Sequence, residues 1–250
     1  MRQALRWRLP GLNDRPAPLE GLFDFSADPA SLWARVAAWE AAYGFEARHL
    51  APEVETVREA LNVLDLVESA FDAAGIRLSD DLEALDVGAR NWFYVRALWA
   101  LLHGHGGRSR TLTLTGLEVD PFVVYSDGHS RYDWARLYTA PLPRAHFVAG
   151  DFFAHAATYD LVIVLFPFLN REEHLEMGLP LSLYRPVDFL AHAIRAVRPG
   201  GTLVVTCFDY EREALEIAWK ALGQSPIAAF RHTPAFISTS TDNYVTVLRP

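Results

Sequence analysis

The chain has 250 residues, 51% of them hydrophobic and 22% charged, enough apolar material for one full core with an appendage and unlike disordered or collagen-like classes. Its net charge of −8 is opposite to the broad positive footprint of a duplex-binding protein, so nucleic acid is disfavoured as a partner. With Cys207 as the single cysteine, an intramolecular disulfide and any cysteine-built zinc or iron–sulfur site are excluded, and Cys207 reads as a small buried hydrophobe at a strand end.

At the amino end, Arg2, Arg6 and Arg8 are scattered among apolar residues with no continuous hydrophobic stretch behind them. That is not the layout of a secretory signal, and a cytoplasmic location is expected. Residues 1–28 carry Pro10, Pro16 and Pro18 and favour turns and extended chain along the surface. A helix is predicted over about 29–43, where Asp28 and Ser31 offer a start, Leu32, Val36, Trp39 and Tyr43 recur at three-to-four spacing, and Gly44 stops it. A second begins near Pro52 and Glu53, gathers Val54, Val57, Leu61, Leu64 and Phe71 on one face, and ends at Gly75. Residues 1–80 therefore read as a helical N-terminal region, and 81–250 as the sheet domain.

Beyond Ser79-Asp80-Asp81, short apolar runs alternate with helical stretches, the pattern of successive βαβ units and a parallel sheet. Strands are predicted at about 83–87, 112–118, 145–149, 160–166, 202–208, 226–231 and 243–248, with helices at about 91–103, 130–138, 186–197 and 211–222. The longest apolar run, Leu161 to Leu169, contains Pro167 and falls short of the about 20 residues that span a bilayer. No room for a crossover helix separates the last two strands, so they form an antiparallel hairpin through Pro234 to Asp242. The fold class is thus α/β: a seven-stranded, mostly parallel sheet with an antiparallel C-terminal hairpin and a helical N-terminal region.

Several segments carry chemistry. In Leu85-Asp86-Val87-Gly88-Ala89-Arg90-Asn91-Trp92 a buried strand turns at a glycine into a helix. The first such turn of a doubly wound sheet lies where the ligand crevice opens, and Gly88 and the small Ala89 let backbone approach a ligand. The second strand closes on carboxylates in Thr115-Gly116-Leu117-Glu118-Val119-Asp120, and an ionised acid there can accept hydrogen bonds from both ribose hydroxyls of a nucleoside. Glu118 is the first choice and Asp120 the second; a helix cap or an exposed loop acid is the plainer alternative. Gly150-Asp151-Phe152, Tyr159-Asp160-Leu161-Val162 running on to Phe166 and Phe168, and Arg198-Pro199-Gly200-Gly201-Thr202-Leu203 follow in order.

This succession, over about residues 83–208, resembles the class I S-adenosylmethionine-dependent methyltransferases, whose domain is Rossmann-like. The resemblance implies S-adenosylmethionine as cofactor. Gly88 and Ala89 would pass beneath its methionine part, with Asp86 at the end of the same strand also among the cofactor-binding residues. Glu118 would hold the ribose, Asp151 and Phe152 would flank the adenine, and Phe166 and Phe168 would face the sulfonium and the acceptor. Arg198-Pro199-Gly200-Gly201 would be structural, turning a helix into the fifth strand. The sequence departs from the family twice. Arg90 and Trp92 stand where small residues are common, and Asp86 and Glu118 are 32 positions apart against about 20, which lengthens the first helix or its loop His103-Gly104-His105-Gly106-Gly107.

The implied activity is methyl transfer to a small-molecule or protein acceptor, a reaction that needs no metal. His174 or Tyr184 could deprotonate an acceptor hydroxyl, although a surface loop position is the plainer reading of each. His103 and His105 read as turn residues rather than metal ligands. Two alternatives stand beside the transferase. One is a cofactor-binding module without turnover, motivated by Arg90 and Trp92; the other is a nicotinamide-dependent oxidoreductase, against which the missing glycines and the terminal hairpin count. Residues 168–186 are long for a strand-to-helix connection and read as a lid or binding loop. The acceptor pocket is expected beneath that loop, between the N-terminal helices and the strand ends, with Trp33, Trp39 and Tyr43 as candidate lining residues.

Overall fold

The computed structural model describes residues 11–176 and 181–250. Arg2, Arg6 and Arg8, and residues 177–180 of the expected lid, lie outside the described residues. Helix α1 (Pro29–Tyr43) begins where Asp28 accepts a hydrogen bond from the Ser31 N–H and Pro29 fills a first-turn position that needs no donor. It stops at Gly44 in the left-handed conformation. Helix α2 (Val54–Ala74) ends the same way at Gly75, whose N–H and that of Ile76 close on the Asp72 and Phe71 carbonyls. Leu61, Leu64, Leu66 and Val67 are all fully buried, because α1, α3 (Val95–Gly104) and the sheet surround α2.

Strands β1 (Asp81–Val87), β2 (Thr111–Glu118), β3 (Ala145–Ala149), β4 (Tyr159–Leu165), β5 (Val197–Phe208), β6 (Ala228–His232) and β7 (Asn243–Leu248) form one sheet in the order β3-β2-β1-β4-β5-β7-β6. The first five are parallel, and β7 runs antiparallel to both of its neighbours. The N-terminal helices and α4 (Arg131–Thr139) cover one face; α6 (Pro186–Arg195) and α7 (Arg212–Ala221) cover the other. Burial on both faces explains the uninterrupted apolar run Leu161-Val162-Ile163-Val164 in β4. Strand order reverses between β1 and β4, and in open α/β sheets the ligand crevice lies outside the strand ends at that switch.

Residues 11–80 build part of the sheet's own core. Leu22, Phe23, Val36 and Trp39 share one apolar cluster with Ala84, Val204 and Val245, and Phe236 of the β6–β7 loop packs against Phe23 and Trp39. A buried carboxylate adds a polar tie: Asp65 of α2 receives the Arg35 guanidinium from α1 and His232 Nε2 from β6 at 3.0 Å. Removing one partner of such a group leaves a buried charge unpaired, so this tie fixes where α1 and α2 sit.

The structure differs from the sequence reading at α3, which begins at Val95 rather than near 91 because Arg90 and Trp92 take left-handed turn conformations, and also in β5 and the expected lid. Arg198-Pro199-Gly200-Gly201 lies inside β5 rather than ahead of it: Val197 pairs with Tyr159, the register shifts, and Leu161 pairs with Thr202. Gly201 is required there, since a Cβ would come within 2.7 Å of the Asp160 carbonyl oxygen, while Arg198 ties to Glu83 and Asp160. Within the expected lid, Arg171–Glu176 forms a short helix, α5. Among the described residues no helix is long and apolar enough to cross a membrane.

Candidate functional site

At the end of β1 the chain turns at Gly88 with φ +79°, and the N–H groups of Gly88 and Ala89 both donate to the Leu117 carbonyl of β2, at 2.9 and 3.2 Å. A Cβ on Gly88 would meet nothing within 4 Å, so open space lies beside the turn; Ala89 is fully buried. Arg90 and Trp92 also have positive φ, +54° and +53°, a conformation that costs residues with a Cβ. The loop therefore follows the alternating left-handed path of a glycine-rich turn with a single glycine in it. Trp92 is fully buried. Its indole lies across Gly116 in mid-β2, where a Cβ would come within 2.6 Å of the ring, and its Nε1–H donates to Asp86 Oδ2 at 2.8 Å. The large side chain thus points into the core and leaves the crevice clear.

Asp86 is fully buried, and its Oδ1 has no hydrogen-bond partner among the described residues. Burial pushes its carboxyl up to about 7, against the downward pull of the neighbouring Tyr94 hydroxyl and Trp92 indole. Glu118, at the end of β2, is also buried. Its Oε2 accepts the Arg90 N–H at 2.7 Å, its Oε1 accepts the Asp120 N–H at 2.8 Å, and Arg131 stands 3.6 Å away. One carboxylate thus clamps the turn after β1 to the end of β2. Two backbone donors use about half of the acceptor sites that a carboxylate offers. Asp120, the second choice for this role, is exposed.

The Gly150 N–H donates to the Glu118 carbonyl at 2.9 Å, which brings the end of β3 alongside. Asp151 caps the turn that follows, accepting the Phe153 N–H at 2.9 Å. Phe152 is buried, its ring 5.3 Å from Phe189 and 4.6 Å from His192 of α6; Phe153 is the more exposed ring, with Arg185 at 4.3 Å over its face. At the end of β4, Phe166 has φ +52° and its ring lies 4.8 Å from Phe208, which stacks at 5.4 Å on the exposed Tyr210. Sequence reasoning missed this aromatic row. Nothing marks Phe208 or Tyr210 locally, and only the pairing of β4 with β5 brings them beside Phe166. Gly88, Glu118, Asp151 and Phe166 therefore follow one another along the carboxyl ends of β1 to β4.

Other candidates have packing roles. His174 is buried, not on a loop surface, and its ring meets Phe168 and Tyr184 edge-on at 5.7 and 5.4 Å. The Tyr184 hydroxyl donates to the Leu169 carbonyl at 2.6 Å, which ties the ends of the expected lid together. Trp39 is buried, its Nε1–H donating to Glu68 at 2.7 Å, and Tyr43 donates to the same carboxylate. Both therefore pack α1 on α2; of the three expected pocket aromatics, Trp33 is the exposed one. His103 stacks on Trp99 and His105 meets Phe71.

No protein-family profile matches the sequence, and no curated protein matches it. Solved structures are similar in fold. A structure of a class I S-adenosylmethionine-dependent methyltransferase, described as putative, from Listeria monocytogenes is 13% identical, with 92% of this chain and 77% of that one covered at a TM-score of 0.53. The N-methyltransferase NodS from Bradyrhizobium japonicum is 15% identical, with 77% and 96% covered at 0.48. A SAM-dependent methyltransferase from Aquifex aeolicus is 14% identical, with 76% and 92% covered at 0.46. The first of these carries the fold assignment.

Proposed function

We propose that this chain, which has the fold of the class I S-adenosylmethionine-dependent methyltransferases, binds S-adenosylmethionine and transfers its methyl group to a small-molecule or protein acceptor. The observation that carries the reading is the turn at Gly88, held to the Glu118 carboxylate at the point where strand order reverses, with open space beside the glycine. The residues fit such a cofactor. Gly88 leaves a cradle that any side chain would fill, Glu118 keeps acceptor sites beyond its two backbone donors, and Trp92 turns into the core. Asp86, Gly88 and Ala89 would hold the methionine end, Glu118 the ribose hydroxyls, and Asp151 with the Phe152 turn the adenine. Phe166, with Phe208 and Tyr210 beside it, would border the methyl group and the acceptor.

The cofactor supplies an activated methyl group; the chain's contribution is to hold and orient the reacting partners and to keep water away. A nicotinamide reading would use the same ribose acid, but β7 set antiparallel between β5 and β6 and a turn with one glycine lend it no support. Glu118→Ala is expected to weaken binding of S-adenosylhomocysteine by about 1–3 kcal/mol, the scale for buried hydrogen-bonding groups left unpaired, in a protein that remains folded by circular dichroism. Unchanged affinity in the folded variant would remove Glu118 from the site.

A further inference from the structure

Arg90 stands where a glycine would cost less. Its φ of +54° is one that glycine adopts freely and arginine does not, yet its N–H is anchored to Glu118 at 2.7 Å, two residues beyond the open turn at Gly88. The side chain is exposed, and its guanidinium has no hydrogen-bond or ion-pair partner among the described residues. Burial raises the Glu59 carboxyl of α2, and the Arg90 charge lowers it. The two act on each other without forming an ion pair. The adjacent cation, Arg58, is already engaged by Glu55 at 2.9 Å and lies over the Phe25 ring.

We propose that Arg90 binds the carboxylate of the cofactor's methionine moiety, an inference that rests on the cofactor reading above. A cation without an ion-pair partner among the described residues, two positions beyond a glycine turn with open space, complements a carboxylate. Guanidinium and carboxylate pair through two parallel hydrogen bonds, which gives direction as well as attraction. The left-handed arginine is then a strained position retained for a ligand.

The test compares S-adenosylhomocysteine with 5′-methylthioadenosine, which keeps the nucleoside and thioether but lacks the amino-acid end. Calorimetric affinities are measured for the full chain and for Arg90→Gly and Arg90→Gln, with thermal unfolding as the check on folding. Both variants are expected to lose about 10- to 100-fold in affinity for S-adenosylhomocysteine, the range for a hydrogen-bonded charge pair, and to bind 5′-methylthioadenosine as the parent chain does. Arg90→Gly relieves the backbone, so its melting temperature is expected to equal or exceed the parent's. Equal losses for both ligands, or no loss for either, overturn the proposal. If the parent chain binds 5′-methylthioadenosine and S-adenosylhomocysteine equally well, the assignment of Arg90 fails while the cofactor reading survives; if it binds neither, both fail.

Discussion

Gly116→Val is expected to destabilise the protein by about 3 kcal/mol or more, at the upper end of overpacking costs, which lowers the melting temperature by roughly 6–12 °C for a chain of this size. Gly116 sits in mid-β2, where glycine ordinarily weakens a strand, and the reason it is there is the Trp92 ring. A Cβ would stand 2.6 to 2.7 Å from three of the ring's atoms, and valine adds two further methyl groups. Trp92 has nowhere to move: it is fully buried, its ring lies 6.1 Å from that of Phe147, and it donates to Asp86. Trp92→Ala alone is expected to cost about 3–5 kcal/mol through the cavity it leaves. The double variant should be clearly less damaged than the sum of the two, because each change relieves the other. Additive losses in urea unfolding would show that the two residues do not share this space.

Gly88→Val is expected to abolish detectable binding of the adenosyl cofactor while the protein stays folded. A valine there collides with no protein atom at its Cβ. The fold loses about 1–3 kcal/mol for a left-handed β-branched residue, and the new side chain fills the space left for the ligand. The contrast with Gly116 is informative, because the same substitution in mid-β2 and in the turn after the neighbouring β1 should damage stability in one and binding in the other. Circular dichroism with calorimetric titration of S-adenosylhomocysteine decides it. A folded Gly88→Val variant that binds like the parent would move the cofactor away from the first turn.

The elements were legible in the sequence because their signals are local. Gly44 and Gly75 marked helix ends, and the apolar run that opens with Leu161-Val162-Ile163-Val164 marked a strand buried on both faces. The closeness of 226–231 to 243–248 required a hairpin, which the structure has as β6 and β7. The bulge in β5 was not legible, since Pro-Gly-Gly is turn chemistry unless a neighbouring strand captures it, and that neighbour, Tyr159, lies 38 residues earlier. At the site, Gly88 and Glu118 could be chosen from their places at strand ends. The inward turn of Trp92 could not, because it depends on Gly116 across the sheet. Nor could the packing of Trp39 and Tyr43 onto Glu68: an aromatic on an amphipathic helix reads the same whether it faces a ligand or another helix.

The central claim, that the crevice beside Gly88 takes an adenosyl sulfur nucleoside, is tested most directly by calorimetric titration of the full chain with S-adenosylhomocysteine, with NAD titrated in parallel. Saturable one-site binding of S-adenosylhomocysteine with no binding of NAD is the expected result. Saturable binding of NAD with none of S-adenosylhomocysteine, or binding of neither, would contradict the account.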